Sequence, residues 1–179
     1  MKRTLSLFLL LLSWSAQAAL DVGEPAPNFT VPAALGGKVF KYSLADALAR
    51  GPVVLYFFPA AFSYGCSIEA HTFAESMDKF EALGATVIGV SGDDIDILSK
   101  FSLQSCQSRF PVASDESKTV IKAYDAVMQT RPDFANRITY VIAPNGHVVY
   151  QYMSLNPDRH VEKALAALRD WAPSGKTSK

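Results

Sequence analysis

Several features are scarce in this chain of 179 residues, and each absence argues against a class of function. Basic and acidic side chains number 17 each, so no net charge attracts nucleic acid or an anionic membrane surface. The three histidines, His71, His147 and His160, lie too far apart in the sequence to show the spacing of metal ligands. A glycine-rich phosphate loop is also missing. The sequence therefore predicts no bound metal, no cofactor and no nucleic-acid partner.

Cysteine is equally scarce, because Cys66 and Cys106 are the only two in the chain. Apolar residues, in contrast, make up 49% of the sequence. That share, at this length, is enough for one domain with a proper hydrophobic core. No internal repeat or low-complexity block divides the chain, and we expect a single domain.

The N-terminus has the pattern of a cleavable signal peptide. The short basic start MKR precedes the apolar stretch LSLFLLLLSWSA, and Ala16 and Ala18 supply the small residues that a signal peptidase reads. An uncleaved anchor is the alternative, but the apolar stretch is shorter than the ~20 residues of a spanning helix. We therefore predict a signal peptide at 1–18, a mature domain at 19–179 in the periplasm or outside the cell, and no membrane attachment after cleavage.

Apolar runs and turn signals divide the mature chain into alternating strands and helices. An extended lead-in is predicted at 20–37, strands at 38–42, 52–58, 85–91, 110–113, 138–143 and 147–152, and helices at 66–83, 94–106, 117–124 and 157–171. Asp93 and Asp94 are predicted caps for the second helix. A Pro-Asn-Gly turn at 144–146 predicts that the last two strands form a hairpin. This order predicts an α/β fold with a mixed central β-sheet flanked by helices.

Cys66 stands where a predicted buried strand has ended and a helix begins. Unpaired backbone N–H groups and the positive end of the helix dipole favour an anion at that place. Cysteines at helix N-termini can have their pKa lowered from roughly 8.5 to between 3.5 and 7.5, and the thiolate is the nucleophilic form. An inert buried cysteine is the alternative, and position alone does not decide between the two.

The residues around Cys66 resemble the peroxiredoxin signature. Pro59, Ser63 and Cys66 reproduce the pattern P-x-x-x-(T/S)-x-x-C, and GCSIEA is similar to the G-C-T-x-E-A of the peroxiredoxin Q, or bacterioferritin comigratory protein, branch. Further segments resemble the family in the same order: VGEPAPNFTVPAALGGKVFKYSL, TVIGVSGDD, FPVASDES and RITYVIAPNGHVVY. The resemblance covers the chain from Val22 to about Trp171, and it implies a thioredoxin-like fold.

The resemblance also implies roles for individual residues. Cys66 would be the peroxidatic cysteine, which attacks the peroxide O–O bond and becomes a sulfenic acid. Ser63 would hold the thiolate and the incoming peroxide, and Pro59 would shield the pocket. Arg137, just before a predicted strand, matches the active-site arginine of the family, whose fork of donors suits the charge that passes to the leaving oxygen. A surface arginine is the alternative for Arg137.

One departure from the family concerns the second cysteine. Many members of the Q branch carry a resolving cysteine five residues after the first, where this chain has His71, and we assign His71 no role. Cys106 is then the one internal candidate, as in some family members that use a cysteine of this helix. About 18 Å of predicted helix separates it from the active-site edge, so resolution would require the helix to unwind. A packing role for Cys106 is equally open.

Two other functions compete with a peroxidase. A thioredoxin-like thiol-disulfide oxidoreductase needs a C-x-x-C motif, but Ser63 stands where its first cysteine would be, and Ile138 stands where its cis-proline would be. A non-catalytic thioredoxin-fold module, with a structural disulfide between Cys66 and Cys106, leaves Ser63 and Arg137 unexplained.

We therefore predict a thiol-dependent peroxidase that reduces hydrogen peroxide and organic hydroperoxides through a sulfenic acid intermediate. It would depend on an external thiol or a thioredoxin-like reductant and act as a monomer or weak homodimer.

Overall fold

A computed structural model describes residues 19–171 of the chain. It contains seven β-strands and six α-helices, with one 3-10 turn before the last helix. The strands are β1 (Thr30–Leu35), β2 (Lys38–Ser43), β3 (Val53–Phe57), β4 (Thr86–Ser91), β5 (Val112–Ser114), β6 (Ile138–Ile142) and β7 (Val148–Met153). The helices are α1 (Leu44–Leu48), α2 (Tyr64–Glu75), α3 (Met77–Ala82), α4 (Ile95–Gln104), α5 (Thr119–Ala123) and α6 (His160–Trp171), and the 3-10 turn is Pro157–Arg159. The predicted signal peptide at 1–18 lies outside the described residues.

All seven strands form one mixed sheet in the order β2-β1-β5-β4-β3-β6-β7. The three central strands β3, β4 and β5 are parallel, whereas the outer pairings are antiparallel. The predicted α/β class with a mixed central sheet is confirmed. At the carboxyl ends of parallel strands, connecting loops gather side chains from separate parts of the sequence, and there β3 leads to α2.

The two faces of the sheet carry separate apolar layers. On β3, Val54 and Tyr56 point to the layer shared with α2, α3, α4 and α6, whereas Val53, Leu55 and Phe57 point to the layer shared with α1 and α5. Every residue of β3 is buried, which is why its sequence is a continuous apolar run rather than an alternating one. Within residues 19–171, no helix combines the length and the apolarity needed to cross a bilayer.

Three local predictions differ from the structure. The lead-in predicted at 20–37 contains β1, which pairs with β2 through a two-residue turn at Gly36 and Gly37, both with positive φ. The helix predicted at 66–83 is two helices, because Ser76 leaves helical geometry (φ −100°, ψ 1°). The helix predicted to reach Cys106 ends at Gln104. The hairpin of β6 and β7 matches its prediction, and Asn156 caps the 3-10 turn before α6.

Candidate active site

Cys66 lies in the first turn of α2. The helix begins at Tyr64, two residues earlier than predicted, and its first backbone bond runs from Ser67 N–H to the carbonyl of Ser63, at 2.9 Å. Cys66 is thus the third helical residue, where the positive end of the helix dipole acts most strongly. The residue is buried, with only 1% of its surface exposed.

Arg137 reaches Cys66 from the segment just before β6. Its Nη2 donates to Cys66 Sγ at 3.4 Å, its Nη1 pairs with Glu69, and its Nε donates to the carbonyl of Leu155 at 3.1 Å. All three guanidinium nitrogens therefore have partners, and the side chain is 6% exposed. Burial disfavours the charge of Arg137, but the negative partners Glu69 and Cys66 raise its pKa overall. The structure thus places a fixed, permanent cation on the cysteine sulfur.

Gly65 makes room for this arginine. A Cβ atom built on Gly65 would lie 3.2 Å from Arg137 Nη2, which is closer than an ordinary van der Waals contact. The backbone of Gly65 is not in the left-handed region, so it is the missing side chain rather than an unusual φ that matters here. The glycine of the sequence motif therefore has a steric reason, since it lets the guanidinium approach the thiol.

Glu69 is part of the sequence motif GCSIEA, but the sequence did not predict a role for it. It lies one turn after Cys66 on α2, is fully buried and forms an ion pair with Arg137. Burial raises its pKa to about 8 even though the arginine acts in the opposite direction. Its second oxygen, Oε1, faces Nδ1 of the buried His160 at 3.6 Å. The i, i+3 spacing from Cys66 was the signal available in the sequence.

Ser63 and Pro59 lie in the loop between β3 and α2. The hydroxyl of Ser63 donates to the carbonyl of Ala60 at 3.0 Å. In the described part of the chain it makes no hydrogen bond to Cys66, so the contact expected between Ser63 and the thiolate is absent from this state. Pro59 is half-buried beside the loop. These two residues lie near the cysteine in sequence, but Arg137 alone of the predicted partners contacts the sulfur.

The same loop is fastened to the start of α4. Asp93 accepts hydrogen bonds from Ala61 N–H at 2.7 Å and from Ser91 Oγ at 2.8 Å. Phe62, whose φ of 62° is unusual for a bulky residue, packs edge-on against Phe101 with ring centroids 5.3 Å apart. Asp93 was predicted as a helix cap, but only its neighbour on the chain caps α4; Asp93 holds the loop instead.

Cys106 lies in the turn after α4 rather than within the helix. It is fully buried, and burial raises the pKa of its thiol. The next two residues, Gln107 and Ser108, both have left-handed φ values, of 50° and 57°. Gln107 Nε2 lies 2.7 Å from Nδ1 of His71, which places this turn beside α2. Both cysteines are free thiols and belong to the same apolar layer, so the alternative of a structural disulfide is not realised in this structure.

Comparison with known proteins agrees with this architecture. The model of the AhpC/TSA family matches residues 22–151. The chloroplastic peroxiredoxin Q of rice (Oryza sativa subsp. japonica) is 36% identical over 148 residues, covering 82% of this chain and 66% of the rice protein. This chain thus spans just under two thirds of the length of that relative. A putative peroxiredoxin of Mycobacterium tuberculosis is 33% identical over 150 residues, which cover 80% of this chain and 92% of that protein.

Solved structures give the same result. The peroxidoxin BcpB of Mycobacterium tuberculosis superposes with a TM-score of 0.76 and 30% identity, covering 83% of this chain and 96% of its own. A PrxQ mutant from Xylella fastidiosa superposes with a TM-score of 0.77 and 25% identity, covering 87% and 99% of the two chains. The thioredoxin-like topology implied by the sequence is confirmed by these neighbours.

Proposed function

The chain belongs to the AhpC/TSA family of peroxiredoxins, and we propose that it is a thiol-dependent peroxidase that reduces hydrogen peroxide and organic hydroperoxides at Cys66. The main structural support is the 3.4 Å hydrogen bond from Arg137 to the sulfur of Cys66. The other two guanidinium nitrogens are hydrogen-bonded to Glu69 and to the carbonyl of Leu155, which fixes the position of the cation. A fixed cation at the sulfur stabilises a thiolate there. The family relationship and this geometry support the same reaction.

The reaction is a nucleophilic displacement on oxygen. The Cys66 thiolate attacks the nearer oxygen of the peroxide, an S–O bond forms, and the O–O bond breaks. The farther oxygen leaves with both electrons of the broken bond and takes up a proton to become water or an alcohol. Arg137 stabilises the negative charge as it moves from sulfur toward the leaving oxygen, and because it is already in place, little reorganisation is needed.

Ser63 and Pro59 act on the incoming peroxide rather than on the thiol. The Ser63 hydroxyl donates its hydrogen bond to the carbonyl of Ala60. The lone pairs of the Ser63 oxygen can therefore accept a hydrogen bond from the peroxide O–H. Pro59 has no N–H and lines the loop as a rigid, half-buried wall. Both roles follow from the family resemblance and are part of the proposal.

A thiol must reduce the sulfenic acid, and we include Cys106 as the resolving cysteine. The turn that carries it is next to His71, which lies five residues, or about 7.5 Å of helix rise, beyond Cys66. Gln107 and Ser108 strain this turn by ~1 kcal/mol or more each, because left-handed backbone is unfavourable for residues with a side chain. Opening the turn relieves that strain, exposes the buried thiol and requires less than unwinding α4. An external thiol or thioredoxin-like reductant then completes the cycle.

Export belongs to the proposal as well. The pattern at 1–18, with small residues at Ala16 and Ala18, supports cleavage before Ala19 and a periplasmic or extracellular enzyme. We further propose a monomer or weak homodimer. Disulfide exchange of the thioredoxin type is not favoured, since Ser63 stands in place of the first cysteine that such chemistry needs.

Substitution of the nucleophile tests the proposal. We expect Cys66→Ser to abolish peroxide consumption in stopped-flow measurements with a dithiol reductant, while circular dichroism shows an intact fold. Ser67→Ala, one residue further along α2, is the matched control and should remain active. Retention of most of the activity by Cys66→Ser would show that the nucleophile lies elsewhere.

A further inference from the structure

The N-terminal end of α6 places a histidine against the active-site ion pair. His160 is completely buried, its Nε2 lies 2.9 Å from the carbonyl oxygen of Ser154, and its Nδ1 lies 2.8 Å from Oγ1 of Thr139. A carbonyl oxygen only accepts, so the hydrogen of the neutral ring has to be on Nε2. Nδ1 then carries the single acceptor lone pair of the ring, and the Thr139 hydroxyl is one donor that reaches it. The surroundings therefore fix the tautomer of His160.

Glu69 faces the same nitrogen, so a protonated Glu69 is a second donor that competes with Thr139 for its lone pair. Oε1 of Glu69 lies 3.6 Å from Nδ1 of His160, is buried, and has no hydrogen-bond partner in residues 19–171. Two buried acceptors that face each other repel, and a proton on one of them removes the repulsion. The distance is too long for a hydrogen bond as it stands, but a shift of about 0.5 Å would close it. A proton between Glu69 and His160 would therefore stabilise this arrangement.

The charges around the pair lead to the same conclusion. Arg137 supplies one permanent positive charge, whereas Cys66 and Glu69 can each supply a negative one, and all three are buried. Two buried anions against one cation leave a charge uncompensated, which is costly. A Cys66 thiolate is therefore best accommodated when Glu69 carries a proton.

Two tyrosines also lie against this cluster. Tyr152 on β7 packs edge-on against the ring of His160, with centroids 4.8 Å apart. Burial raises the pKa of Tyr56 on β3 well above its ordinary value, so Tyr56 stays neutral. Burial lowers the pKa of His160 to about 4 and raises the pKa of Glu69 to about 8. Both directions put the shared proton on the carboxyl group rather than on the ring near neutral pH.

We propose that Glu69, positioned by His160, stores the proton that peroxide reduction consumes. The proposal rests on Cys66 being the nucleophile. In the reduced enzyme the Cys66 thiolate, the Glu69 carboxylic acid and the Arg137 cation sum to zero charge. Reaction of the thiolate, hydrogen peroxide and the Glu69 carboxylic acid yields the sulfenic acid, water and the Glu69 carboxylate. The negative charge moves from sulfur to carboxylate, and the buried cluster stays neutral throughout.

Counting protons tests this transfer directly. One equivalent of hydrogen peroxide is mixed with the reduced full-length chain at pH 7 in unbuffered solution containing a pH indicator. Thiolate absorbance in the ultraviolet is followed in parallel, and oxidised Cys66 is quantified by mass spectrometry. We expect the wild type to begin as thiolate and to take up almost no proton from solution. Glu69→Gln should take up about one proton per oxidised Cys66, because its amide has none to give.

Glu75→Gln is the matched control, since Glu75 is an exposed carboxylate at the other end of the same helix, and it should behave as wild type. Loss of thiolate with uptake of a full proton by the wild type would overturn the proposal. A wild type that begins as neutral thiol would overturn it too, because the proton would then have been on Cys66. If Cys66 is not oxidised at all, the proposed function itself fails. Later formation of a disulfide does not alter the count, since condensation with a neutral thiol releases only water.

The positioning role of His160 has its own signature. In His160→Gln, the side-chain amide can still donate to the Ser154 carbonyl, but it presents no acceptor to Glu69. In His160→Asn, the side-chain oxygen can lie near the position of Nδ1 and accept from Glu69. Without an acceptor, Glu69 holds its proton less well, and the thiolate is disfavoured beside the resulting carboxylate. We expect His160→Gln to slow single-turnover oxidation about tenfold at pH 7, as for one lost hydrogen bond, and to regain the wild-type rate at higher pH.

His160→Asn should preserve most of the wild-type pH profile, and His147→Gln, at an exposed position, is the control. A loss of rate that is the same at every pH would mean that His160 only supports packing. Should His160→Gln fail to fold, the proton counts of the wild type and Glu69→Gln still decide the proposal.

Discussion

Addition of one methyl group at Gly65 should slow the enzyme while leaving its stability nearly unchanged. Alanine in place of a glycine inside a helix stabilises a protein by roughly 0.5–1 kcal/mol. The new methyl group also pushes against Arg137 Nη2, and loss of one hydrogen bond costs about 0.5–1.5 kcal/mol, which offsets that gain. For a domain of this size we therefore expect Tm to change by no more than about 2–4 °C.

The rate should fall because the methyl group meets the arginine. The new Cβ would lie 3.2 Å from Arg137 Nη2, so the guanidinium has to retreat by a few tenths of an ångström. Glu69 and the Leu155 carbonyl hold its other nitrogens, so the bond to Cys66 Sγ is the one that lengthens. A misplacement of 1 Å can cost about 10²-fold in rate, and this smaller shift predicts a loss of roughly 3- to 10-fold.

Single-turnover oxidation in a stopped-flow instrument and thermal unfolding followed by circular dichroism measure the two effects. Gly92→Ala is the matched control, because a Cβ at Gly92 meets nothing closer than 3.8 Å and the residue lies at the same end of the sheet. Its oxidation rate should equal that of the wild type. If Gly65→Ala folds normally but oxidises as fast as the wild type, the close contact between Arg137 and Cys66 does not control the rate.

Three further predictions concern the remaining parts of the proposal. Arg137→Ala should slow peroxide attack by roughly two to three orders of magnitude, the range for a lost oxyanion donor, in the same stopped-flow assay. Ser63→Ala removes the acceptor for the peroxide O–H and should slow attack by about tenfold, as for one lost hydrogen bond; an unchanged rate in both would refute the proposed pocket. Non-reducing peptide mapping after stoichiometric peroxide should yield a linked Cys66–Cys106 pair that Cys106→Ser eliminates. Persistent sulfenic acid with equal turnover in both proteins would instead make Cys106 a packing residue. N-terminal sequencing of exported protein should begin at Ala19, and an intact MKR start in cytosolic protein would contradict export.

Local signals account for the parts of the fold that the sequence predicts well. The run PVVLYFF is apolar throughout because β3 is covered on both faces, and the Pro-Asn-Gly turn identifies the hairpin of β6 and β7. β1 was missed because Thr30–Leu35 includes a proline and two alanines, which are weak β-formers. It becomes a strand through pairing with β2 across the Gly36-Gly37 turn and with β5, about 80 residues away in the sequence. No local pattern records the pairing with β5.

Some residues of the candidate site could likewise be predicted from the sequence, and others could not. Cys66 and Arg137 were predicted, but Arg137 only through resemblance, since nothing in its local sequence distinguishes it from a surface arginine. Glu69 and His160 come together because α6 packs on α2, and His160 looked like an isolated histidine in the sequence. The orientation of the Ser63 hydroxyl toward Ala60, and the strained turn beyond Cys106, depend on backbone geometry that composition does not encode.

Mass spectrometry of the Cys66 peptide after one equivalent of hydrogen peroxide tests the central claim most directly. The reduced full-length protein is mixed with peroxide, quenched within seconds with a reagent that traps sulfenic acids, and digested without reduction. We predict that the first oxygen is found on Cys66, as trapped sulfenic acid or as a disulfide derived from it, while Cys106 alone is never oxidised first. An unmodified Cys66 in protein that has consumed the peroxide would contradict the assignment of this chain as a peroxidase acting through Cys66.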